Sequence, residues 1–97
     1  MSAYLLINIE KIKDQEKLKQ YGEKVADHTA KFGGALLAAS PEPTVLEGSL
    51  NSLRTLIIEF PDLDSLRGWY DSDDYQPLKE IRHAGIDATL SIVEGVG

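Results

Sequence analysis

Residues 54–60 read Arg-Thr-Leu-Ile-Ile-Glu-Phe (RTLIIEF), and this heptapeptide decides the architecture. Side chains of a strand switch faces at every residue. Leu56, Ile58 and Phe60 therefore share one face, and Thr55, Ile57 and Glu59 share the other. The first face is wholly apolar and belongs in a core. The second mixes a hydroxyl, an aliphatic and a carboxylate, which suits neither a core nor open water.

The same division recurs on both sides. In residues 3–10 (AYLLINIE), Leu5, Ile7 and Ile9 alternate with Tyr4, Leu6, Asn8 and Glu10. In the closing segment ATLSIVEG, Leu90 and Ile92 alternate with Thr89, Ser91 and Val93. A shorter run, ALLAAS (35–40), reads as an edge strand broken by Pro41 and Pro43, with TVLEG (44–48) expected to extend that edge. Helical spacing separates these strands. Asp14 is placed to cap a helix carrying Leu18, Tyr21, Val25, His28 or Thr29, and Phe32, and Gly33-Gly34 stops it. Asp62 opens a second helix with Leu63, Leu66 and Tyr70 on one side. The order β-α-β-β-α-β is the ferredoxin-like α+β arrangement, a four-stranded antiparallel sheet with strands one and three central and two helices on one face. We read residues 1–97 as one such domain.

Composition narrows the function. Ten Lys and Arg against 16 Asp and Glu give a net charge of -6. Phosphate-backbone affinity is built from basic residues, so nucleic acid is not an expected partner. With no cysteine in the chain, disulfides, thiolate catalysis and Cys-type zinc sites are excluded. No apolar run approaches the roughly 20 residues of a membrane span, and no leader pattern precedes the first strand. The expectation is a soluble cytoplasmic protein without a membrane partner.

The second sheet face carries more information. Open to water it should be mostly polar, yet it sets Leu6, Ile57 and Val93 among Asn8, Thr55, Glu59, Thr89 and Ser91. An apolar patch of this kind on a small monomer is unusual. Packing of the sheet on a second copy accounts for it. A ligand pocket would then form between helices and sheet, or between the two sheets.

The segment WYDSDDYQPL (69–78) gathers the only tryptophan and two tyrosines around three aspartates. Ser72 is an N-cap candidate, with Asp73 and Asp74 at the positive end of the following helix. Tyr75, Leu78, Ile81 or Arg82, and Gly85 continue a buried stripe. Pro77 lacks the N–H of a helix interior and predicts a break near it. The stretch reads as a corner between two helical pieces. Its aspartates match no calcium loop and lack the distal glutamate, so no metal site is expected.

At this point the segments KFGGALLA, VLEG, IIEFPDLDSLRGWYDSDDYQPLKEIR and SIVEG resemble the domain of unknown function 1330 family, within the dimeric α+β barrel superfamily. The resemblance covers nearly the whole chain. It implies a ferredoxin-like fold and a two-fold dimer with facing sheets. Elsewhere in that superfamily it implies cofactor-independent monooxygenases, isomerases and haem-handling proteins. Ala35 and Ala39 stand where the family often has basic residues, which argues against an anion site at those positions.

Glu59 is the candidate catalytic residue. A carboxylate in a space closed to water is a stronger base, as general-base chemistry wants, and Asn8 across the first strand would orient its substrate. The structural alternative pairs Glu59 with Arg54 or Arg82. Ile57, Tyr70, Tyr75 and His83 complete the candidate ligand-binding set. His28 and His83, the only histidines, lie far apart in sequence and form no metal triad. No phosphate loop, dinucleotide fingerprint or G-x-S-x-G elbow is present, and no cofactor is expected. Two readings follow. One is a homodimer that binds a small, partly apolar organic molecule and acts on it without a cofactor. The other is a non-catalytic sensor or interaction module whose sheet face only mediates dimerisation. A cavity of a few hundred cubic ångströms belongs to the first, a filled interior to the second.

Overall fold

The computed structural model describes residues 1–97. In chain order the elements are β1 (Ala3–Ile12), α1 (Gln15–Lys31), β2 (Ala35–Ser40), β3 (Arg54–Phe60), α2 (Leu63–Asp71), α3 (Tyr75–Gly85) and β4 (Ile86–Glu94). The sheet order is β2-β3-β1-β4, antiparallel throughout, which is the ferredoxin-like order. Central β1 sets Leu5 opposite Ile58 and Ile92, and Ile7 opposite Leu56 and Leu90. The apolar faces thus align across three strands and meet the helices.

Local chemistry fixes the helix ends. Asp14 accepts from the backbone N–H groups of Glu16 (3.0 Å) and Lys17 (3.2 Å), satisfying donors that the first turn leaves free. Asp62 does the same for Ser65 at 2.7 Å, and this bond holds its carboxyl below the ordinary aspartate range. After α1, Gly33 takes a left-handed φ of 78°, a conformation open to glycine. At Gly34 a Cβ would fall 2.5 Å from Thr29 Cγ2 and 2.9 Å from the Phe60 ring, so the chain passes the core here only without a side chain.

Two expectations need correction. Residues 44–48 do not extend β2: the chain from Pro41 to Leu53 forms no strand, and Val45, Leu46, Leu50 and Leu53 are exposed. Nor does Pro77 break a helix. It lies in the first turn of α3, where its missing N–H is not needed. The break falls at Ser72–Asp74, with the Ser72 hydroxyl accepting from the Tyr75 N–H at 3.3 Å. The segment 62–85 is therefore two helices joined at a corner. Trp69 fills that corner, with Leu66 beside it, whereas Tyr70 is half-buried.

The Cα trace spans 33 × 30 × 16 Å, one helix layer on one sheet. The core contains Leu5, Ile7, Ile9, Phe60, Leu66 and Trp69. Nothing in the chain covers the opposite sheet face, where Leu6, Ile57 and Glu59 are half-buried and Val93 is exposed.

Candidate functional site

An aromatic cluster anchors the helix layer. The Trp69 ring lies 4.3 Å from Tyr75 and 5.8 Å from Phe60, centroid to centroid, and its Nε1–H donates to the Thr29 hydroxyl at 3.1 Å. His28 stacks on Tyr75 at 5.6 Å. Its Nε2 sits 3.0 Å from the Trp69 carbonyl and 3.1 Å from the Ser72 hydroxyl. A carbonyl only accepts, so Nε2 carries a proton, and the buried Nδ1 has no partner. His28 is thus a tie between α1 and the corner.

Below this cluster, between α1 and the sheet, lies a cavity of about 390 Å³. Its floor is Ile7 and Ile9 of β1 with Leu56 and Ile58 of β3, and α1 supplies Leu18 and Val25. Tyr21, Thr29 and Trp69 complete these walls, and Arg82 comes from α3. Tyr21 Oη is 2.7 Å from Tyr75 Oη, one hydroxyl donating to the other. The spacing Tyr75, Leu78, Arg82, Gly85 puts all four on the buried side of α3. Arg82 is 5% exposed. Its Nη2 has His83 Nε2 at 3.4 Å and its buried Nε has no partner. The only ion pairs in the chain are Lys13–Asp87 (3.2 Å) and Lys31–Asp74 (3.9 Å), so no carboxylate meets the Arg82 charge.

Burial raises the pKa of the Tyr21 phenol, helped by its neighbour Tyr75. It raises Tyr75 too, with the Tyr21 hydrogen bond and the Arg82 charge acting the other way. The sign of the linkage follows: an unfolded tyrosine ionises near pH 10, before either buried one does. Their contribution to stability is complete below about pH 10 and is lost as pH rises beyond it. Urea midpoints measured from pH 8 to 11 are expected to fall above pH 10, and Tyr21→Phe to flatten the fall; a midpoint as steep in the variant would exclude this source.

The sequence-predicted residues do not converge. Asn8, Ile57 and Glu59 lie on the open sheet face. There Tyr4 donates to Glu59 Oε2 at 3.2 Å, and Thr55 donates to Asn8 Oδ1 at 2.7 Å. Glu59 pairs with neither Arg54 nor Arg82 within the chain; the register puts Arg54 opposite Ile9, on the helix side. Tyr75 is fully buried in the aromatic cluster. Tyr70 packs beside it with rings tilted at 5.6 Å, with Lys79 Nζ 4.3 Å above its ring, and borders a second hollow of about 340 Å³ between α2 and β4. His83 is exposed at the end of α3. Its pKa is lowered by desolvation and then by the charges of Arg82, Lys79 and Lys13. No three His, Asp or Glu side chains meet as a metal-binding group.

Tyr21 and Arg82 are the polar cavity groups that sequence reasoning left out of the site. The helical spacing from Tyr75 was the available signal for Arg82.

Fold and cavity together define a ferredoxin-like α+β protein with a pocket between its layers. The chain belongs to the family described as domain of unknown function 1330 (DUF1330), whose model matches residues 2–96. It is similar in structure to a protein of unknown function from Rhodopseudomonas palustris, at 15% identity and TM-score 0.82, over 99% of this chain and 83% of that one. A dimeric ferredoxin-like protein of unknown function from Jannaschia sp. matches at 15% identity and TM-score 0.67, over 98% and 100%. A cofactor-independent oxygenase from Streptomyces nogalater matches at 10% identity and TM-score 0.61, over 99% and 92%. A search of curated proteins finds no match. No helix is long and apolar enough to cross a membrane.

Proposed function

We propose that this protein is a homodimer, joined through its open sheet face, that binds a small, partly apolar organic molecule in the cavity between α1 and the sheet. The observation that carries the reading is that cavity. Its volume of about 390 Å³ lies in the range of ligand sites, and its walls are apolar apart from a few convergent polar groups. A purely structural module would have filled this space, since interiors are otherwise close-packed. The dimeric neighbour of the same fold supports the assembly. The half-apolar sheet face supports it from within this chain.

Chemistry without a cofactor, as in the Streptomyces nogalater neighbour, is the activity we attach to this pocket. Glu59 cannot serve it, because its side chain leaves the other face of the sheet; a role for Glu59 as a base belongs to the space between two sheets. Native mass spectrometry of freshly purified protein tests the reading. The expected species is twice the 10.7 kDa chain with a retained small molecule released on denaturation. A bare monomer across a dilution series, with no change in Trp69 emission on adding apolar compounds, would overturn it.

A further inference from the structure

The charge lining the cavity is the reverse of the charge of the chain. The protein has 16 acidic residues and ten basic ones, yet Lys19, Arg54 and Arg82 border the cavity and no aspartate or glutamate does. Lys19 and Arg54 are exposed at its rim. Arg82 is buried, its charge unmatched by any carboxylate of the chain and its Nε without a partner. The Tyr75 hydroxyl gives it a neutral acceptor, but a guanidinium cannot shed its proton at ordinary pH, so burying its charge without a counter-charge is costly unless an anion completes the site. Its planar fork of donors fits a carboxylate. The Tyr21–Tyr75 hydroxyl pair lies close by, near enough to the Arg82 charge to respond to it.

We infer that the ligand is a small monocarboxylate with an apolar body, its carboxylate on Arg82 and its hydrocarbon over Ile7, Leu56 and Val25. This rests on the pocket reading above and adds the class of molecule. At the roughly 30 Å³ that a water takes up in the liquid, the cavity holds about a dozen non-hydrogen atoms, so the body is a medium alkyl chain or a single aromatic ring. Lys19 and Arg54 draw the anion toward the opening, an effect that weakens with salt. On its other side Arg82 borders a hollow that also takes in Glu10, Lys13, His83 and Asp87; neither Glu10 nor Asp87 lies within ion-pair distance of the guanidinium, and His83, 3.4 Å away, is held neutral more readily than a free histidine.

The test compares sodium octanoate, 1-octanol and octylammonium by titration calorimetry and Trp69 emission on the intact protein. Octanoate is expected to bind at least tenfold more tightly than 1-octanol, and octylammonium most weakly. Arg82→Gln is expected to remove the preference of octanoate over 1-octanol. Arg82→Lys, which keeps the charge but not the fork, should retain part of it. The wild-type comparison stands even if the Arg82 variants fail to fold. Equal binding of octanoate and 1-octanol would overturn the carboxylate inference and leave the cavity reading intact. Binding of neither would overturn the cavity reading itself. A preference abolished by Lys19→Gln with Arg54→Gln but unchanged in Arg82→Gln would move the anion to the rim and overturn the assignment to Arg82.

Discussion

Replacing Trp69 by alanine is expected to destabilise the protein by about 3–5 kcal/mol, the range for removing a fully buried large aromatic. For a domain held by about 5–15 kcal/mol in total, that is a large share. The ring is 0% exposed and contacts groups from three other elements. Phe60 of β3 and Tyr75 of α3 pack on it, Thr29 of α1 accepts its N–H, and its own backbone carbonyl on α2 receives His28. Truncation would leave a void between layers that cannot close without moving α3 off α1. Trp69→Phe separates the contributions, since it keeps most of the volume and leaves Thr29 without its donor; its cost should be well under half that of alanine. Urea unfolding measures both. A loss below about 1 kcal/mol for Trp69→Ala would mean that the ring is not buried in solution, because core truncations of this size do not come so cheaply.

The sequence made strand faces easy to read and the cavity hard, for a physical reason. A strand's period of two is set by covalent geometry, so RTLIIEF assigns Ile58 and Glu59 to opposite faces whatever surrounds them. Caps are equally local: Asp14 and Asp62 need only the next three residues. The corner at Ser72 was legible because a hydroxyl three residues before Tyr75 can accept its N–H. A cavity depends instead on how far α1 stands from β1 and β3, which the packing of Trp69, Tyr75 and His28 sets across some 40 residues of chain. Arg82 looked like a surface residue by type, and only its place on the Tyr75–Leu78 stripe told otherwise. Pro77 misled because a helix start at Tyr75, not Ser72, decides whether its missing N–H matters. The notion that Glu59 and Tyr75 share one site failed on the sheet itself, which stands between them.

Placing a charge at the centre of the open sheet face is expected to abolish the proposed dimer. Ile57 pairs with Leu6 on β1 and Ala38 on β2, so the middle of this face is apolar. Its two ends are polar and partly bonded within the chain: Tyr4 donates to Glu59 at one, and Ser52, Thr55 and Asn8 bond in a chain at the other. Such a face is covered at lower cost than one whose polar groups are all free, because several of them keep a partner when water leaves. Ile57→Glu breaks this condition by burying an unpaired carboxylate from each copy. An uncompensated buried charge costs about 3–5 kcal/mol, and 1.4 kcal/mol is tenfold in affinity, so the dimer dissociation constant should rise by about 10³-fold or more. Light scattering across a dilution series should then give the 10.7 kDa chain mass, with the circular dichroism of the fold retained. Glu59→Gln is the counterpart on the same face, since it removes a charge while keeping an oxygen for the Tyr4 hydroxyl. It is expected to leave the dimer intact. If Glu59→Gln dissociates the dimer instead, Glu59 is paired with a cation of the second copy. If Ile57→Glu leaves the dimer whole, the two copies do not meet through this face.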